Sequence, residues 1–218
     1  MGVKERKQRE KDQRRREILV AARDVVMLEG PAALTMDRVA EVTELSKGTL
    51  YLYFPSRADL LGNLVLDFQS EMTRVMHAAA AETSNPLDGL EAVGRTYWSF
   101  MQGQVALAPL IEMARTRVFS EGLSPELMAR LLEEGMGPFV LMTELVRQAQ
   151  AQGLVQAEQD PLELSLSLAA VSIGVLQMGT PAEGCPLPIP PERLLVRAWT
   201  LILRSVVIGD FPEPALPA

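Results

Sequence analysis

Apolar residues recur along this chain at spacings of three and four, the period of an α-helix, almost from one end to the other. Ile18, Ala21, Ala22, Val25 and Val26 form one such stripe and predict a helix from about Arg14 to Leu28, stopped by Gly30. Thr35 then precedes a short amphipathic run in which Met36, Val39, Ala40 and, at its end, Val42 can face a core while Asp37 and Arg38 can face water. A turn at Thr43-Glu44-Leu45 leads to Ser46, a side chain suited to cap a second short helix over Lys47 to Tyr53. Leu45, Leu50 and Phe54 are its core positions. A longer helix opens at Pro55-Ser56 and runs past Met72 toward Ala81, with Leu60, Leu61, Leu64, Val65 and Phe68 as its stripe.

From Pro86 onward the pattern predicts five further helices, over about 87 to 105, 107 to 119, 125 to 152, 161 to 178 and 191 to 208. Ser84-Asn85-Pro86, Pro109, Gly122 with Ser124-Pro125, Gly153, Asp160-Pro161 and the run from Thr180 to Pro191 divide them. Leu162, Leu164, Leu166 and Leu168 alternate with polar residues as a strand would. The length of the run, the lack of a partner strand and the following Ala169-Ala170 favour a helix. The fold class expected is therefore all-α, an N-terminal three-helix helix-turn-helix domain over 14–74 followed by a helical domain over 75–210. The helix from Ser56 is the connector through which a change in the second domain would reach the first.

The two short helices carry the chemistry. In a helix-turn-helix the second helix lies in the major groove of DNA with its N-terminal residues toward base edges, which puts Lys47, Gly48 and Thr49 where donors are wanted. Gly48 allows close backbone approach. Tyr51 and Tyr53 end in hydroxyls able to donate to phosphate oxygens. Arg57, in the first turn of the next helix, opposes the macrodipole, an arrangement that makes sense with an outside anion between them.

Charge supports the same reading once it is divided. The formal net charge of the 218 residues is −7, yet residues 1–60 hold 12 Lys/Arg against 10 Asp/Glu and the first 23 residues hold 9 against 4. The acid lies in the second domain. Arg14, Arg15 and Arg16 fall in that basic N-terminal stretch, which reads either as an arm reaching toward a groove or as a solvated extension of the first helix.

The motif G-x4-T-x3-V-A, followed by S-K-G-T-L-Y-x-Y-F-x-S-[KR]-x-x-L, strongly resembles the N-terminal DNA-binding domain of the TetR family of transcriptional regulators, over roughly Arg14 to Arg74. The resemblance implies that Thr35 and Met36 start a supporting helix near a phosphate. It also implies that Ser46, Lys47, Gly48, Thr49, Tyr51 and Tyr53 belong to the recognition helix, and that Arg57 takes the place of a basic residue, usually lysine, that clamps the backbone. Two departures stand out. Thr43-Glu44 replaces the common Ala-Gly of the turn, so Glu44 is expected in a left-handed conformation. Leu52 sits where other members carry more polar or aromatic residues, to touch a thymine methyl or only to pack.

By the same resemblance the last two helices pair with their twins across a two-fold axis. The segments 161 to 178 and 194 to 207 are apolar on more than one face, as helices covered on both sides must be. Leu168, Val171, Val175, Leu195, Trp199 and Ile202 are the candidate dimer residues, and a homodimer reading a palindromic operator in double-stranded DNA is expected. The middle helices carry Trp98, Phe100, Met101, Met113, Phe119, Met128, Met136, Phe139 and Met142. The family keeps its inducer pocket there, and methionine repacks readily around irregular apolar ligands. Trp98, Met101, Met113, Phe119, Met136, Phe139 and Met142 are the candidate pocket residues for a small apolar ligand, although a methionine stripe at helical spacing also describes plain core. Glu112 could pair a cationic ligand, but is read rather as paired with Arg115 or Arg117 or as solvated.

Several classes of function are disfavoured. A single cysteine, Cys185, and a single histidine, His77, leave no intramolecular disulfide, no multi-cysteine metal site and no HExxH motif. No GxGxxG or P-loop occurs, so no cofactor, metal or catalytic residue is expected and the chain is read as a non-enzyme. The charged N-terminus lacks the apolar stretch of a signal peptide and no uninterrupted apolar run reaches membrane-spanning length, so a cytoplasmic location is expected. Among regulators the reading is a repressor released by a ligand; the alternative is an activator, or a sensor of a protein partner with no small-molecule inducer.

Overall fold

The computed structural model describes residues 2–104, 107, 122–179 and 188–209. Among these residues the chain forms eight α-helices: α1 Val3–Glu29, α2 Met36–Val42, α3 Lys47–Tyr53, α4 Arg57–Ala81, α5 Pro86–Gly103, α6 Pro125–Ala151, α7 Pro161–Gly179 and α8 Pro191–Val206, with a 3-10 turn at Pro31–Ala33 between the first two. Extended pairing within that part is an isolated antiparallel bridge between Val155 and Val207. The alternating leucines of 162 to 168 are thus helical. The expected helix over 107 to 119, with Glu112, Met113, Arg115, Arg117 and Phe119, lies outside the described residues apart from Leu107, as does Cys185.

One boundary differs from expectation by three turns. α1 begins at Val3 rather than near Arg14. The polar extension is held by its own charges: Glu5 accepts from the amide of Gly2 (3.0 Å), Gln8 donates to Asp12 (2.8 Å), and Arg6–Glu10 and Arg14–Glu17 pair at 3.4 and 3.0 Å. Neighbours three and four apart on a helix stabilise it by a few tenths of a kcal/mol each, roughly 0.2–0.5.

Contacts divide the chain into two compact units, Met1–Glu71 with Gly103–Gly135 and Met72–Gln102 with Met136–Ala218. In the first unit Ile18, Ala22, Val25 and Val26 of α1 are buried together with Leu34, Val39, Leu50, Phe54, Leu60 and Leu61. Leu45 is half-buried. Close helix approach is enforced at Gly62 of α4, where a Cβ would fall 2.8 Å from methyl carbons of Leu123 and Leu127.

Each short helix is capped by the residue the sequence offers. Thr35 Oγ1 accepts from the Arg38 amide and Ser46 Oγ from the Thr49 amide, both at 3.1 Å. Between them the chain turns in a Schellman motif: the Leu45 amide donates to the Ala40 carbonyl (2.9 Å) and the Glu44 amide to the Glu41 carbonyl (3.1 Å). This motif requires a left-handed residue, and Glu44 supplies it at φ 54°. Among the described residues no other non-glycine has positive φ.

The second unit is built around Leu90, Val93 and Trp98 of α5, Leu141, Met142, Leu145 and Val146 of α6, Leu164 and Leu168 of α7, and Leu195, Trp199 and Leu203 of α8. Polar pins set the register within this core. The indole of Trp199 donates to Ser172 Oγ (2.9 Å), which itself donates to the Leu168 carbonyl (2.8 Å), and Thr143 donates to Ser165 Oγ (3.3 Å). Gly94 is needed where it stands, since a Cβ there would lie 2.8 Å from Cη2 of Trp199.

The strain at Glu44 gives a direct test. A left-handed conformation costs a residue with a Cβ roughly 1–2 kcal/mol, partly offset by the greater unfolded-state entropy of glycine, about 0.5–1 kcal/mol. Glu44→Gly is therefore expected to stabilise the protein by about 0.5–1 kcal/mol, raising the thermal midpoint by about 2 °C in circular dichroism. A lower midpoint would mean that the Glu44 side chain makes a compensating interaction.

Candidate nucleic-acid interface

The candidate DNA-reading side chains are carried by α3 and its flanks, and their exposure follows from the single buried residue of that helix. Leu50 is fully buried, which turns Gly48, Tyr51 and Leu52 outward, Tyr51 at 42% and Leu52 at 77% exposure. Leu52 therefore does not pack. Gly48 faces open space, with nothing nearer to a notional Cβ than Ser46 Oγ at 3.9 Å. Ser46 caps the helix and shares a further 2.8 Å hydrogen bond with the Thr49 hydroxyl. Tyr53 is half-buried, and its carbonyl serves the fold by accepting from Arg15 Nη1 (2.9 Å).

The basic residues on this side are committed to different degrees. Lys47 Nζ lies 2.6 Å from Asp37 Oδ1, both side chains more than half exposed. The hydrogen bond to Asp37 raises the Lys47 ammonium above the ordinary lysine range, so the charge is secure but half neutralised by its neighbour. Arg38 bridges Glu29 at 2.7 Å and Glu41 at 2.6 Å, and those hydrogen bonds raise its pKa while lowering that of Glu29. Arg57 spends only Nε, on the Leu34 carbonyl at 2.6 Å. That bond ties the start of α4 to the chain just before α2.

The Met36 side chain lies in the core, as its place in the stripe of α2 predicts, at 6% exposure, so its amide, in the first turn of α2, is the group left for a phosphate. Thr35 remains exposed and its hydroxyl oxygen is the cap of α2.

Arg15 falls in the basic stretch that reads either as an arm or as an extension of the first helix; it lies within α1, where its guanidinium donates to the Tyr53 carbonyl (2.9 Å) and to Asn63 Oδ1 (2.7 Å) and lies 4.5 Å from the centroid of the Phe54 ring. Burial lowers its pKa, the nearby Arg130 lowers it further, and Asp67, Asp59 and Asp12 raise it. The signal was present: Arg15 precedes Ile18, Ala22 and Val25 by three, seven and ten, in phase with the buried face of α1.

The second unit redraws the other two candidate sets. Leu168, Val175, Leu195 and Trp199 are buried in the chain's own core, and Val171 and Ile202 are half-buried against it. Residues spent on the internal core cannot also be the surface that a second copy covers. The apolar side chains left outside are Leu162, Leu166 and Met178 on α7 and Leu201 on α8. Of the candidate pocket residues Trp98, Met101 and Met142 are buried, Phe139 is half-buried, and Met136 is 48% exposed and so lines no enclosed space. Met113 and Phe119 are not among the described residues. An open groove lies between α5 and α8, and among the described candidates Trp98 is on its wall, beside Leu195, Trp199 and Leu203. Among the described residues no cluster of three or more His, Cys, Asp or Glu is placed to hold a metal ion.

Comparison with known proteins places this surface in context. Residues 18–64 match the sequence model of the bacterial regulatory proteins of the tetR family. No curated protein matches the chain. Solved structures share the fold over most of their length. A protein of unknown function from Rhodococcus sp. RHA1 is 21% identical, with a TM-score of 0.72 over 89% of this chain and 96% of its own. A transcriptional regulator of the TetR/AcrR family from Thermobifida fusca YX-ER1 is 20% identical, with a TM-score of 0.69 over 88% and 98%. The fatty acid degradation regulator FadR from Bacillus halodurans is 18% identical, with a TM-score of 0.65 over 85% and 96%.

The Lys47–Asp37 pair makes a prediction about any duplex bound here. Asp37→Asn frees the ammonium and removes a carboxylate that would face phosphates. Exposed pairs are worth at most about 1 kcal/mol, so DNA affinity is expected to rise about threefold at low salt, measured by fluorescence anisotropy on a labelled duplex. An unchanged or weaker affinity would show that Lys47 does not meet the DNA.

Proposed function

We propose that the chain acts in the cytoplasm as a homodimeric repressor released from a palindromic operator by a small apolar ligand, a reading that starts from the match of residues 18–64 to the bacterial regulatory proteins of the tetR family, which are transcription regulators and not enzymes. The observation that carries the reading is the surface of α3: one buried leucine, and around it Gly48, Tyr51 and Leu52 exposed beside Lys47 and Arg57. These groups provide close approach, a phosphate-seeking hydroxyl and two cations on one short helix and its flank. The domains of the proposal are 14–74 for DNA and 75–210 for sensing and pairing.

Pairing is supported by the outer face of α7. Leu162, Leu166 and Ala170 are exposed at successive intervals of four, with Ile173 half-buried on the same line and Leu201 exposed on the adjoining α8. Pro161–Met178 is apolar enough that it passes a length-and-composition test for crossing a membrane, although only 28% of it is buried within the chain. A second copy of α7 and α8 across a two-fold axis would cover this stripe. The paired recognition helices would then meet successive major grooves about 34–36 Å apart. A ligand held near Trp98, Met101 and Met142 that favoured another spacing would lower operator affinity. A hundredfold loss requires a preference of roughly 2.7 kcal/mol between the two states.

A footprint of the purified protein on the DNA flanking its own gene tests the first part. The expected result is a palindromic, salt-sensitive footprint that Lys47→Ala and Tyr51→Ala each weaken about tenfold or more. A footprint indifferent to both substitutions would make the helix-turn-helix a structural element. Pairing is tested separately by sedimentation equilibrium. Leu166→Glu places a charge where a monomer tolerates it and a dimer does not, so the wild type is expected as a dimer and the variant as a monomer. Equal masses would move the interface elsewhere.

A further inference from the structure

We propose that Leu52 is a base-reading residue and that it selects thymine through the C5 methyl group, an inference that rests on the DNA-binding reading above and adds to it what the helix recognises. At about 100° per residue, Gly48 and Leu52 each lie about 160° around the axis of α3 from the buried Leu50, so they form the line of the helix that projects farthest from the domain. That line carries no hydrogen-bonding side chain. Gly48 contributes bare backbone facing open space, and one turn later, about 6 Å along, Leu52 contributes an apolar side chain at 77% exposure. The hydrogen-bonding residues flank it: Thr49, whose hydroxyl is engaged with Ser46, on one side and Tyr51 with Lys47 on the other.

A ridge of this composition distinguishes bases in one way. The major-groove edges of adenine, guanine and cytosine present donors or acceptors, whereas thymine adds a methyl group. Leucine against a polar edge would exclude water without replacing its hydrogen bonds, which is unfavourable; leucine against the thymine methyl buries two apolar surfaces. The glycine one turn earlier lets the helix sit deep enough for that contact. Leu52 thus sets a preference for thymine by both attraction and exclusion, while Lys47, Tyr51 and Arg57 hold the helix to the backbone.

The experiment starts from selection of a random-sequence duplex library on the wild-type protein, followed by replacement of each thymine of the selected duplex by deoxyuridine, which removes only the methyl group. One position per half-site is expected to weaken binding about fourfold on replacement, the worth of one buried methyl at about 0.8 kcal/mol. Leu52→Ala is expected to bind the thymine and deoxyuridine duplexes equally and to lose the thymine preference on reselection. An exposed residue is replaced, so folding is preserved, and circular dichroism checks it. If Leu52→Ala keeps the deoxyuridine penalty, another residue reads the methyl and the proposal falls. It also falls if deoxyuridine is tolerated everywhere while Lys47→Ala still weakens binding, because the helix then docks without reading a methyl group. Failure of the wild type to bind any duplex would instead overturn the DNA-binding reading, and this inference with it.

Discussion

The interface depends on one half-buried guanidinium. Arg15 joins three elements at a single point: it sits on α1, donates to the last carbonyl of α3 and to Asn63 on α4, and stacks on Phe54 in the link between those two helices. A helix of seven residues is too short to hold itself in water, so α3 exists because its ends and one face are held by others. Its N-terminus is capped by Ser46, its face is closed by Leu50, and its C-terminus is closed by Arg15. Planar geometry and several donors make arginine suited to this role, where a lysine would satisfy only part of it. The outward placement of Tyr51 and Leu52 is a consequence of that three-way fixation.

Acidic partners of the basic residues give the interface its second property. Lys47 is paired with Asp37, and Arg38 is held between Glu29 and Glu41, so much of the positive charge near the groove-facing side is already answered. Exposed pairs of this kind are weak individually and screened by salt. Their effect is to lower the sequence-independent attraction to DNA, which leaves discrimination to side chains such as Leu52. A chain with a net charge of −7 can bind a polyanion in this way only through a surface where cations and hydroxyls are concentrated.

In the second unit the same apolar residue types serve two ends. Leu164 and Leu168 are sealed inside, while Leu162 and Leu166, each two residues earlier, are exposed on the same helix. The core is pinned through Ser172 and Trp199 and closely packed at Gly94, so the exposed stripe cannot be drawn inward by a small rotation of α7 without breaking those contacts. This separates the inner face of the helix from the outer one and leaves the outer one exposed.

Helical period, caps and breakers were enough to locate α2 through α8 within a few residues, because each signal is local: Thr35 and Ser46 cap, Gly153 and Pro161 divide, and the stripe of α4 runs unbroken. The left-handed Glu44 was legible only through the resemblance, which commonly has glycine in that place of the turn; nothing in the glutamate itself signals that conformation. The start of α1 was not, because its first eleven residues owe their helix to ion pairs and to continuity with a buried segment, and a run of charges reads equally well as a loose arm. Which face of an all-round apolar helix turns inward was beyond periodicity as well. Leu168 and Leu166 are the same residue type two positions apart, and only the packing of α7 against α8 put one in the core and left the other outside. Arg15 shows the same division: its charge and its basic neighbours left open an arm or a solvated extension, but its place in the packed unit gave its guanidinium to the fold. The sequence by itself determined the helices, the turn and the residue types able to meet DNA, through interactions spanning a few residues. The tertiary structure decided which of those residues are free to do so, since burial is a property of what lies across from a residue and not of what lies beside it.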